Sequence, residues 1–166
     1  MTNSEMTKSF ERPTWDETWL SVAAAVARRS WCVNSKVGAV IVDASGRVDS
    51  TGYNGPPAGL QVEGECSNWC PRASRGEGSG TASYSACAAV HAEANALLHA
   101  DATVIKGGTI YITRAPCKDC AKLIANSGLA VVVASFDESD DPARSYSTFE
   151  YLKSCGLRAR YYVRNN

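Results

Sequence analysis

The spacing of apolar and polar positions divides the chain into nine elements in the order α-β-β-α-β-α-β-α-β. The first helix is predicted to begin at Thr14, whose hydroxyl can cap it, and to end near residues 28–29. An apolar run at residues 37–42 predicts a buried strand, and residues 47–53 predict the strand that returns beside it. Turn-forming residues at 43–46 join the two strands in a hairpin.

Helices and strands alternate in the second half of the chain. The pattern predicts helices at residues 85–100, 116–128 and 143–154, and strands at 109–113, 130–135 and 158–163. Because helical crossovers favour parallel pairing, the last three strands are expected to be parallel, whereas the hairpin strands are antiparallel. The predicted fold is therefore α/β, a three-layer α/β/α sandwich around a mixed five-stranded sheet.

The chain of 166 residues has the length of one domain with a substantial core. Residues 1–13 are polar and lack periodicity, which predicts a flexible tail, and residues 14–166 are predicted to form a single domain. The periodic pattern is lost at residues 54–85, where prolines and glycines are frequent. A loop of this length in a compact domain is usually functional, which favours an active-site flap or a crosslinked insertion.

The balance of charge bears on partners and location. Lysine plus arginine and aspartate plus glutamate each number 17, and the pI is about 6.7. Such a balance disfavours a nucleic acid as the main partner. No apolar run approaches the 18 residues of a transmembrane helix, so no membrane association is expected. The first 12 residues lack the apolar region of a signal peptide, which predicts a cytoplasmic protein.

A metal-binding pattern is the strongest chemical signal in the chain. His91, Cys117 and Cys120 can hold Zn²⁺ through one imidazole and two thiolates and leave a fourth position open for water. Glu93 lies two residues after the histidine, where it is poorly placed as a ligand and well placed to carry protons. The arrangement H-x-E…P-C-x-x-C is the pattern of zinc deaminases. The alternative is a wholly structural zinc site, or a buried histidine near a cysteine pair.

Four segments carry a resemblance to a known family. They are residues 36–42 (KVGAVIV), 51–59 (TGYNGPPAG), 91–96 (HAEANA) and 116–122 (PCKDCAK). The chain resembles the deoxycytidylate (dCMP) deaminases of bacteria and bacteriophages, within the cytidine deaminase-like superfamily, from about Trp19 to Val163. The Gly-Tyr-Asn-Gly segment narrows the resemblance to enzymes acting on dCMP.

The resemblance implies an enzyme that uses a catalytic zinc to hydrolyse dCMP to dUMP and ammonia, and so feeds thymidylate synthesis. It implies that Asn54 contacts the nucleotide, although a glycine-flanked asparagine can also simply form a turn. Lys36 and Arg114 are candidates to bind the phosphate, and the alternative for each is a solvated surface charge. Relatives are commonly hexamers, and many are activated by dCTP and inhibited by dTTP. Because residues 60–86 differ from the family in detail, effector binding there stays open.

Seven cysteines in a cytoplasmic chain favour metal ligands or reduced thiols over disulfides. When the two cysteines of the zinc motif and Cys155 on the last predicted helix are set aside, four remain: Cys32, Cys66, Cys70 and Cys87. Four cysteines form a standard structural zinc site, and similar phage and bacterial enzymes hold a second zinc in these regions. The alternative is that the four are separate reduced thiols.

Two other functions compete with dCMP deamination. The chain could deaminate a 5-substituted dCMP or dCTP, since a change in the flap can admit a substituent or further phosphates. It could also be a non-catalytic, zinc-stabilised subunit that binds nucleotides, although such a protein has no need of Glu93 as a proton carrier. A deaminase of nucleic acids is disfavoured, because no basic and aromatic tract is available for a strand.

Overall fold

The computed structural model describes residues 12–76, 87–136 and 141–162. Residues 1–11, which make up most of the predicted flexible tail, lie outside this description. None of the helices in the described ranges has the length and apolar character that a membrane crossing requires.

The described part of the chain contains five α-helices and five strands. They are α1 (Trp15–Ala27), β1 (Gly38–Val42), β2 (Val48–Tyr53), α2 (Pro71–Ser74), α3 (Ala92–Leu98), β3 (Thr109–Ile112), α4 (Lys118–Asn126), β4 (Val131–Ser135), α5 (Pro142–Ser154) and β5 (Arg158–Tyr162). A short 3₁₀-helix at Cys66–Asn68 precedes α2. The 3₁₀-helix and α2 lie within the stretch for which the sequence predicted only a loop.

The five strands form one mixed sheet in the order β2-β1-β3-β4-β5. Strand β1 pairs antiparallel with both β2 and β3, whereas β3, β4 and β5 are parallel. The predicted hairpin and the predicted parallel pairing of the last three strands are confirmed. The sheet thus brings the ends of β2 and β3 close to each other through their common neighbour β1.

Strand β1 is buried along its whole length because helices cover both faces of the sheet. Its residues alternate between two hydrophobic clusters. Val40 packs with Leu20 and Ala23 of α1, whereas Ile41 packs with residues of α3, α4 and α5 on the opposite face. Three layers result, and the predicted α/β/α sandwich is confirmed.

Side-chain hydrogen bonds cap the first helix and the hairpin turn where the sequence predicted them. The hydroxyl of Thr14 accepts a hydrogen bond from the Glu17 amide at 3.2 Å, and the Glu17 carboxylate accepts one from the Thr14 amide at 2.7 Å. This reciprocal pair caps the first helix where the sequence predicted its start. In the hairpin turn, the Asp43 carboxylate accepts hydrogen bonds from the amides of Ser45 and Arg47.

Two glycines allow helices to approach the hairpin backbone on opposite faces. A Cβ at Gly38 would lie 2.0 Å from the Ala23 carbonyl oxygen of α1. A Cβ at Gly52 would lie 2.2 Å from the Ala92 carbonyl oxygen and 2.4 Å from the Ala96 nitrogen of α3. Neither approach leaves room for a side chain, so the positions of both helices depend on these two residues.

Two predicted helix starts were wrong. The helix expected from residue 85 begins at Ala92, because Val90 and Gly55 pair as an antiparallel bridge that keeps the preceding backbone extended. Their amides and carbonyls exchange hydrogen bonds of 2.8 and 3.1 Å. The helix expected from residue 116 begins at Lys118, with Cys117 as its N-cap. In both cases a zinc ligand named from the sequence occupies the cap position.

Candidate active site

The three predicted zinc ligands lie at the starts of two neighbouring helices. His91 is the N-cap of α3, Cys117 is the N-cap of α4, and Cys120 lies in the first turn of α4. The His91 Nδ1 atom is 3.5 Å from each of the two sulfur atoms. All three ligand atoms lie within 4.8 Å of one another.

These distances fit a tetrahedral zinc ion. With Zn–S bonds of about 2.3 Å and a Zn–N bond of about 2.0 Å, neighbouring ligands of a tetrahedron are separated by roughly 3.5 Å. Within residues 12–76, 87–136 and 141–162, this is the one compact set of three histidine, cysteine or acidic ligands. Three protein ligands leave the fourth position for water or substrate, which is the arrangement of a catalytic zinc.

The titrations of the three ligands are linked to one another. Hydrogen bonding from the Cys120 thiol, reinforced by His91, lowers the pKa of Cys117 to about 4. The same interaction raises the pKa of Cys120, whose thiol is the donor. Hydrogen bonding to Cys117 and then to Cys87 raises the pKa of His91 to about 11. One sulfur is therefore held as the thiolate that zinc requires, and a metal ion binds in exchange for the protons shared by the other two ligands.

Glu93 is the second residue of α3 and is only 4% exposed. Burial raises the pKa of its carboxyl group, and its interaction with the Cys120 side chain opposes part of that rise. A carboxyl group with a raised pKa can hold a proton near neutral pH and return it, which suits a general acid and base. The structure thus places the acid beside the three ligands and outside the ligand set.

One cavity gives access to these groups. Its wall includes His91, Glu93 and Cys117 together with Asn54 and Arg114. A substrate in this cavity therefore meets the metal ligands and the buried acid at the same time.

The Asn54 side chain holds the chain segment that leads into β1. Its Oδ1 atom accepts a hydrogen bond from the Val37 amide, and its Nδ2 atom donates one to the Ser35 carbonyl, both at 2.8 Å. Asn54 is 8% exposed and lines the cavity. The amide keeps a second hydrogen on Nδ2 that neither of these bonds uses.

The two predicted phosphate-binding candidates lie in different places. Arg114 lines the cavity, and its guanidinium donates a hydrogen bond of 2.7 Å to the Ser35 hydroxyl. Lys36 is exposed and lies in a separate surface groove beside Arg28 and Arg29. Of the two candidates, Arg114 is therefore the one that lines the same cavity as His91 and Cys117.

The four remaining cysteines named from the sequence all line the cavity: Cys32, Cys66, Cys70 and Cys87. They form a chain of neighbours, since the Cys66 thiol interacts with Cys32 and Cys70, and Cys70 is hydrogen-bonded to Cys87. Burial raises the pKa of Cys66 to about 11. Each of the four is a free thiol. The four sulfur atoms are more widely spaced than the ligand atoms of His91, Cys117 and Cys120. In the described ranges, only that set of three has all of its ligand atoms within 4.8 Å of one another.

Sequence reasoning missed three polar residues around the site. Arg72 of α2 and Arg144 of α5 line the cavity, but an isolated arginine in an irregular or exposed segment gives no signal in one sequence. The Asn95 Nδ2 atom donates a hydrogen bond of 2.7 Å to the Tyr53 carbonyl, which ties α3 to the end of β2. Its place in the segment 91–96 was the available signal.

The fold and the site together define a class of enzyme, the zinc-dependent deaminases with the cytidine deaminase-like fold. The defining features are the mixed five-stranded sheet, the histidine and two cysteines at the starts of two helices, and the buried glutamate beside them. Residues 13–136 match the family model described as the cytidine and deoxycytidylate deaminase zinc-binding region. The chain belongs to this family.

Individual relatives agree with the family model. The deoxycytidylate deaminase of Mycobacterium phage D29 is 52% identical over 128 residues, which cover 75% of this chain and 96% of the phage protein. The human deoxycytidylate deaminase is 31% identical over 149 residues, covering 90% of this chain and 80% of the human protein. The dCMP deaminase of cyanophage S-TIM5, solved in complex with dCMP and dUMP, is 26% identical with a TM-score of 0.65 over 92% of this chain and 99% of that structure.

Proposed function

We propose that this enzyme hydrolyses dCMP to dUMP and ammonia and thereby feeds thymidylate synthesis. The observation that carries the proposal is the buried Glu93 carboxyl beside the His91, Cys117 and Cys120 set, on the wall of one cavity. Relatives named deoxycytidylate deaminase, and the S-TIM5 enzyme with dCMP and dUMP bound, support this choice of substrate.

The roles of the residues follow from their chemistry. Zinc bound by His91, Cys117 and Cys120 would lower the pKa of a water molecule in the open position from about 15.7 towards 7, and it would so supply a nucleophile for C4 of the cytosine ring. Glu93 accepts the proton that this water loses and delivers it to the ring nitrogen. Glu93 then takes the proton of the new C4 hydroxyl group and passes it to the amine, which leaves as ammonia while the C4 carbonyl forms. A single carboxyl group thus acts in turn as base and acid.

A second, structural zinc at Cys32, Cys66, Cys70 and Cys87 belongs to the same proposal. It is supported by the chain of thiol contacts along the cavity wall. Four thiolates would satisfy a closed tetrahedral site and hold the irregular segment at residues 60–76 against the rest of the fold. Separate reduced thiols are the alternative.

Further features of the enzyme stay predictions. Asn54 is proposed to contact the nucleotide through the amide hydrogen that its two backbone hydrogen bonds leave over. Residues 14–166 are proposed to form a single deaminase domain. A homo-oligomer, a hexamer by family resemblance, regulation by dCTP and dTTP, and a cytoplasmic location are proposed with it.

Ammonia release from a panel of substrates tests the proposal. The zinc-loaded enzyme is assayed with dCMP, 5-methyl-dCMP, CMP, dCTP and cytidine, each with and without dCTP or dTTP as effector. Turnover of dCMP above the others supports the proposal. Preference for 5-methyl-dCMP or dCTP would identify that nucleotide as the substrate in place of dCMP. Nucleotide binding without ammonia release would indicate a non-catalytic binding subunit.

A further inference from the structure

The His91 imidazole interacts with the two cysteines of the zinc set and with a third cysteine outside it. Its Nδ1 atom lies 3.5 Å from the sulfur atoms of Cys117 and Cys120. The side chain of Cys87, four positions earlier in the chain, is also hydrogen-bonded to the imidazole. Cys87 is not a member of the compact set of three ligand atoms. It therefore contacts a zinc ligand without being part of the ligand set.

The Cys87 sulfur is held in place by further donors. Besides the bond to the imidazole, it accepts hydrogen bonds from the Ala89 amide and from the Cys70 thiol. The backbone between Cys87 and the zinc ligand is anchored as well, since Val90 and Gly55 exchange hydrogen bonds of 2.8 and 3.1 Å. A sulfur atom with several donors in an anchored segment has little freedom to move. Cys87 can therefore hold the imidazole ring in one orientation.

The two helix-capping zinc ligands are oriented in different ways. The sulfur of Cys117 accepts a hydrogen bond from the Cys120 amide, so its own helix α4 fixes its direction. The His91 side chain makes no such capping bond to α3. Its orientation is therefore set by partners outside the helix, of which Cys87 is one. In zinc proteins, a hydrogen-bonded partner of this kind fixes the ring of a histidine ligand.

Cys87 is also the end of the four-cysteine cluster that lines the cavity. Cys66 interacts with Cys32 and Cys70, and Cys70 is hydrogen-bonded to Cys87. Cys66 and Cys70 are only 2% and 3% exposed. A change in the cluster, such as the binding of a metal ion, therefore reaches His91 through the side chain of Cys87.

We propose that Cys87 is a positioning residue of the active site, whose sulfur holds the His91 imidazole in the orientation for metal binding and couples the four-cysteine cluster to the catalytic zinc ligands. The inference deepens the proposed function and rests on it for the presence of a catalytic zinc. The contact needs only the sulfur atom of Cys87 as an acceptor, so it exists with a metal ion in the cluster and with reduced thiols.

Zinc affinity at the catalytic set tests the role of Cys87. Cys66→Ser is the reference, because it is expected to hold zinc at the catalytic set alone. Competition with a chromogenic chelator gives the zinc dissociation constant of this variant and of two derivatives that add Cys87→Ala or Cys87→Ser. We expect the added Cys87→Ala to weaken zinc binding by about 10- to 100-fold, the range for losing the partner of a zinc-bound histidine.

The serine variant guards against misfolding of the alanine variant. Its hydroxyl is close in size to the thiol and can also accept a hydrogen bond, so we expect an intermediate zinc affinity, several-fold weaker than that of the reference. Cys32→Ala, added to the same reference, is the matched control. It removes another thiol of the cluster, whose neighbour is Cys66, and it is expected to bind zinc as the reference does.

Cobalt substitution distinguishes a positioning residue from a ligand. The reference and its Cys87→Ser derivative are loaded with one equivalent of Co²⁺, and the thiolate-to-cobalt charge-transfer band is measured. We expect equal intensities, because Cys117 and Cys120 supply the thiolates in both proteins. A weaker band in the Cys87→Ser derivative would make Cys87 a metal ligand and overturn the proposal.

Equal zinc affinity with and without Cys87→Ala, or with and without Cys87→Ser, also overturns the proposal. An equal loss in the Cys32→Ala control does so too, since it indicates a general loosening of the cluster. Because none of these measurements involves dCMP, their outcome is separable from the proposed function. A wild type that releases no ammonia from dCMP contradicts the function even if Cys87→Ala weakens zinc binding. Turnover of dCMP by wild type, with zinc affinity unaffected by Cys87→Ala, contradicts the positioning role alone.

Discussion

Glu93 is an acidic residue in a buried position, and burial is the main cause of its raised pKa. Water no longer stabilises the carboxylate, so the pKa rises and the protonated form persists at a higher pH than on a surface. The position at the start of α3 keeps the carboxyl beside the zinc ligands without making it one of them. Substitution can therefore separate metal binding from proton transfer.

Glu93→Gln is expected to retain one zinc at His91, Cys117 and Cys120 and to lose turnover of dCMP on the order of 10²- to 10⁴-fold, because the amide cannot carry protons. Zinc content by atomic absorption and ammonia release measure the two effects. Asp119→Asn, which removes an exposed acid of the neighbouring helix, serves as the control and should keep its rate. A near-normal rate in zinc-loaded Glu93→Gln would remove the residue from the mechanism.

Tyr111 provides a second case in which burial alters a titration. Burial, with the Asp16 carboxylate nearby, raises the pKa of this phenol to about 12. The folded state thus holds the proton more tightly than the unfolded state. The resulting stabilisation is complete below pH 10, the ordinary pKa, and is lost as the pH rises towards 12.

We therefore expect the stability advantage of wild type over Tyr111→Phe to shrink by about 1–2 kcal/mol between pH 9 and pH 12, since a tenfold change in proton affinity corresponds to about 1.4 kcal/mol and residual solvent access reduces it. Urea unfolding at each pH measures the difference. Tyr146→Phe, which changes a tyrosine that is 69% exposed, is the matched control. A constant difference for Tyr111→Phe across this range would contradict the assignment.

At the scale of elements, the position of helix α3, which begins with His91 and Glu93, depends on its contact with Gly52. Its backbone contacts β2 at Gly52, where no Cβ can be accommodated. The helix also contributes Ala92 and Ala96 to the core, small residues that allow close approach to the sheet. His91 caps this helix, so the position of a zinc ligand depends on how closely the helix packs.

Gly52→Ala is expected to displace α3, to lower the free energy of unfolding by about 1–3 kcal/mol, and to weaken zinc binding. Urea unfolding and competition with a chromogenic zinc chelator measure the two changes. Gly59→Ala is the matched control, because a Cβ at that exposed glycine meets no atom within 4 Å. Equal zinc affinity in Gly52→Ala and wild type would show that the helix can adjust without moving His91.

The elements also show what one sequence can reveal. Strand β1 was predictable because apolar residues fill both of its faces, and the zinc ligands were predictable because their spacing is specific to one chemistry. The start of α3 was not, because the bridge between Val90 and Gly55 joins residues 35 positions apart. Arg72 was not, because its burial depends on how α2 packs and not on any periodicity of its own.

On the scale of the whole molecule, four cysteines from three separate segments meet beside the active site. Cys32 precedes β1, and Cys87 precedes the zinc ligand His91. Cys66 begins the 3₁₀-helix, and Cys70 precedes α2. A metal ion bound by all four would crosslink these segments in the folded state, and its binding free energy would add to the stability of the fold. Its presence is therefore measurable as stoichiometry and as stability.

Fully loaded protein is expected to contain two zinc ions per chain, and Cys66→Ser is expected to contain one and to unfold at a lower temperature. Metal analysis and scanning calorimetry measure both effects. Cys155→Ser, which alters an exposed thiol at the end of α5, should behave as wild type. One zinc per chain in loaded wild type would leave the four residues as reduced thiols.

The two glycines of the hairpin, Gly38 and Gly52, bring a helix close to the sheet on each of its faces. Gly38 pairs with Tyr53, and Gly52 pairs with the next residue along, Ala39. At this point the backbone of β1 meets α1 directly at Gly38, and the backbone of β2 meets α3 directly at Gly52. The distance of each helix from the sheet is thus set by peptide groups, which are less able to adjust than side chains are.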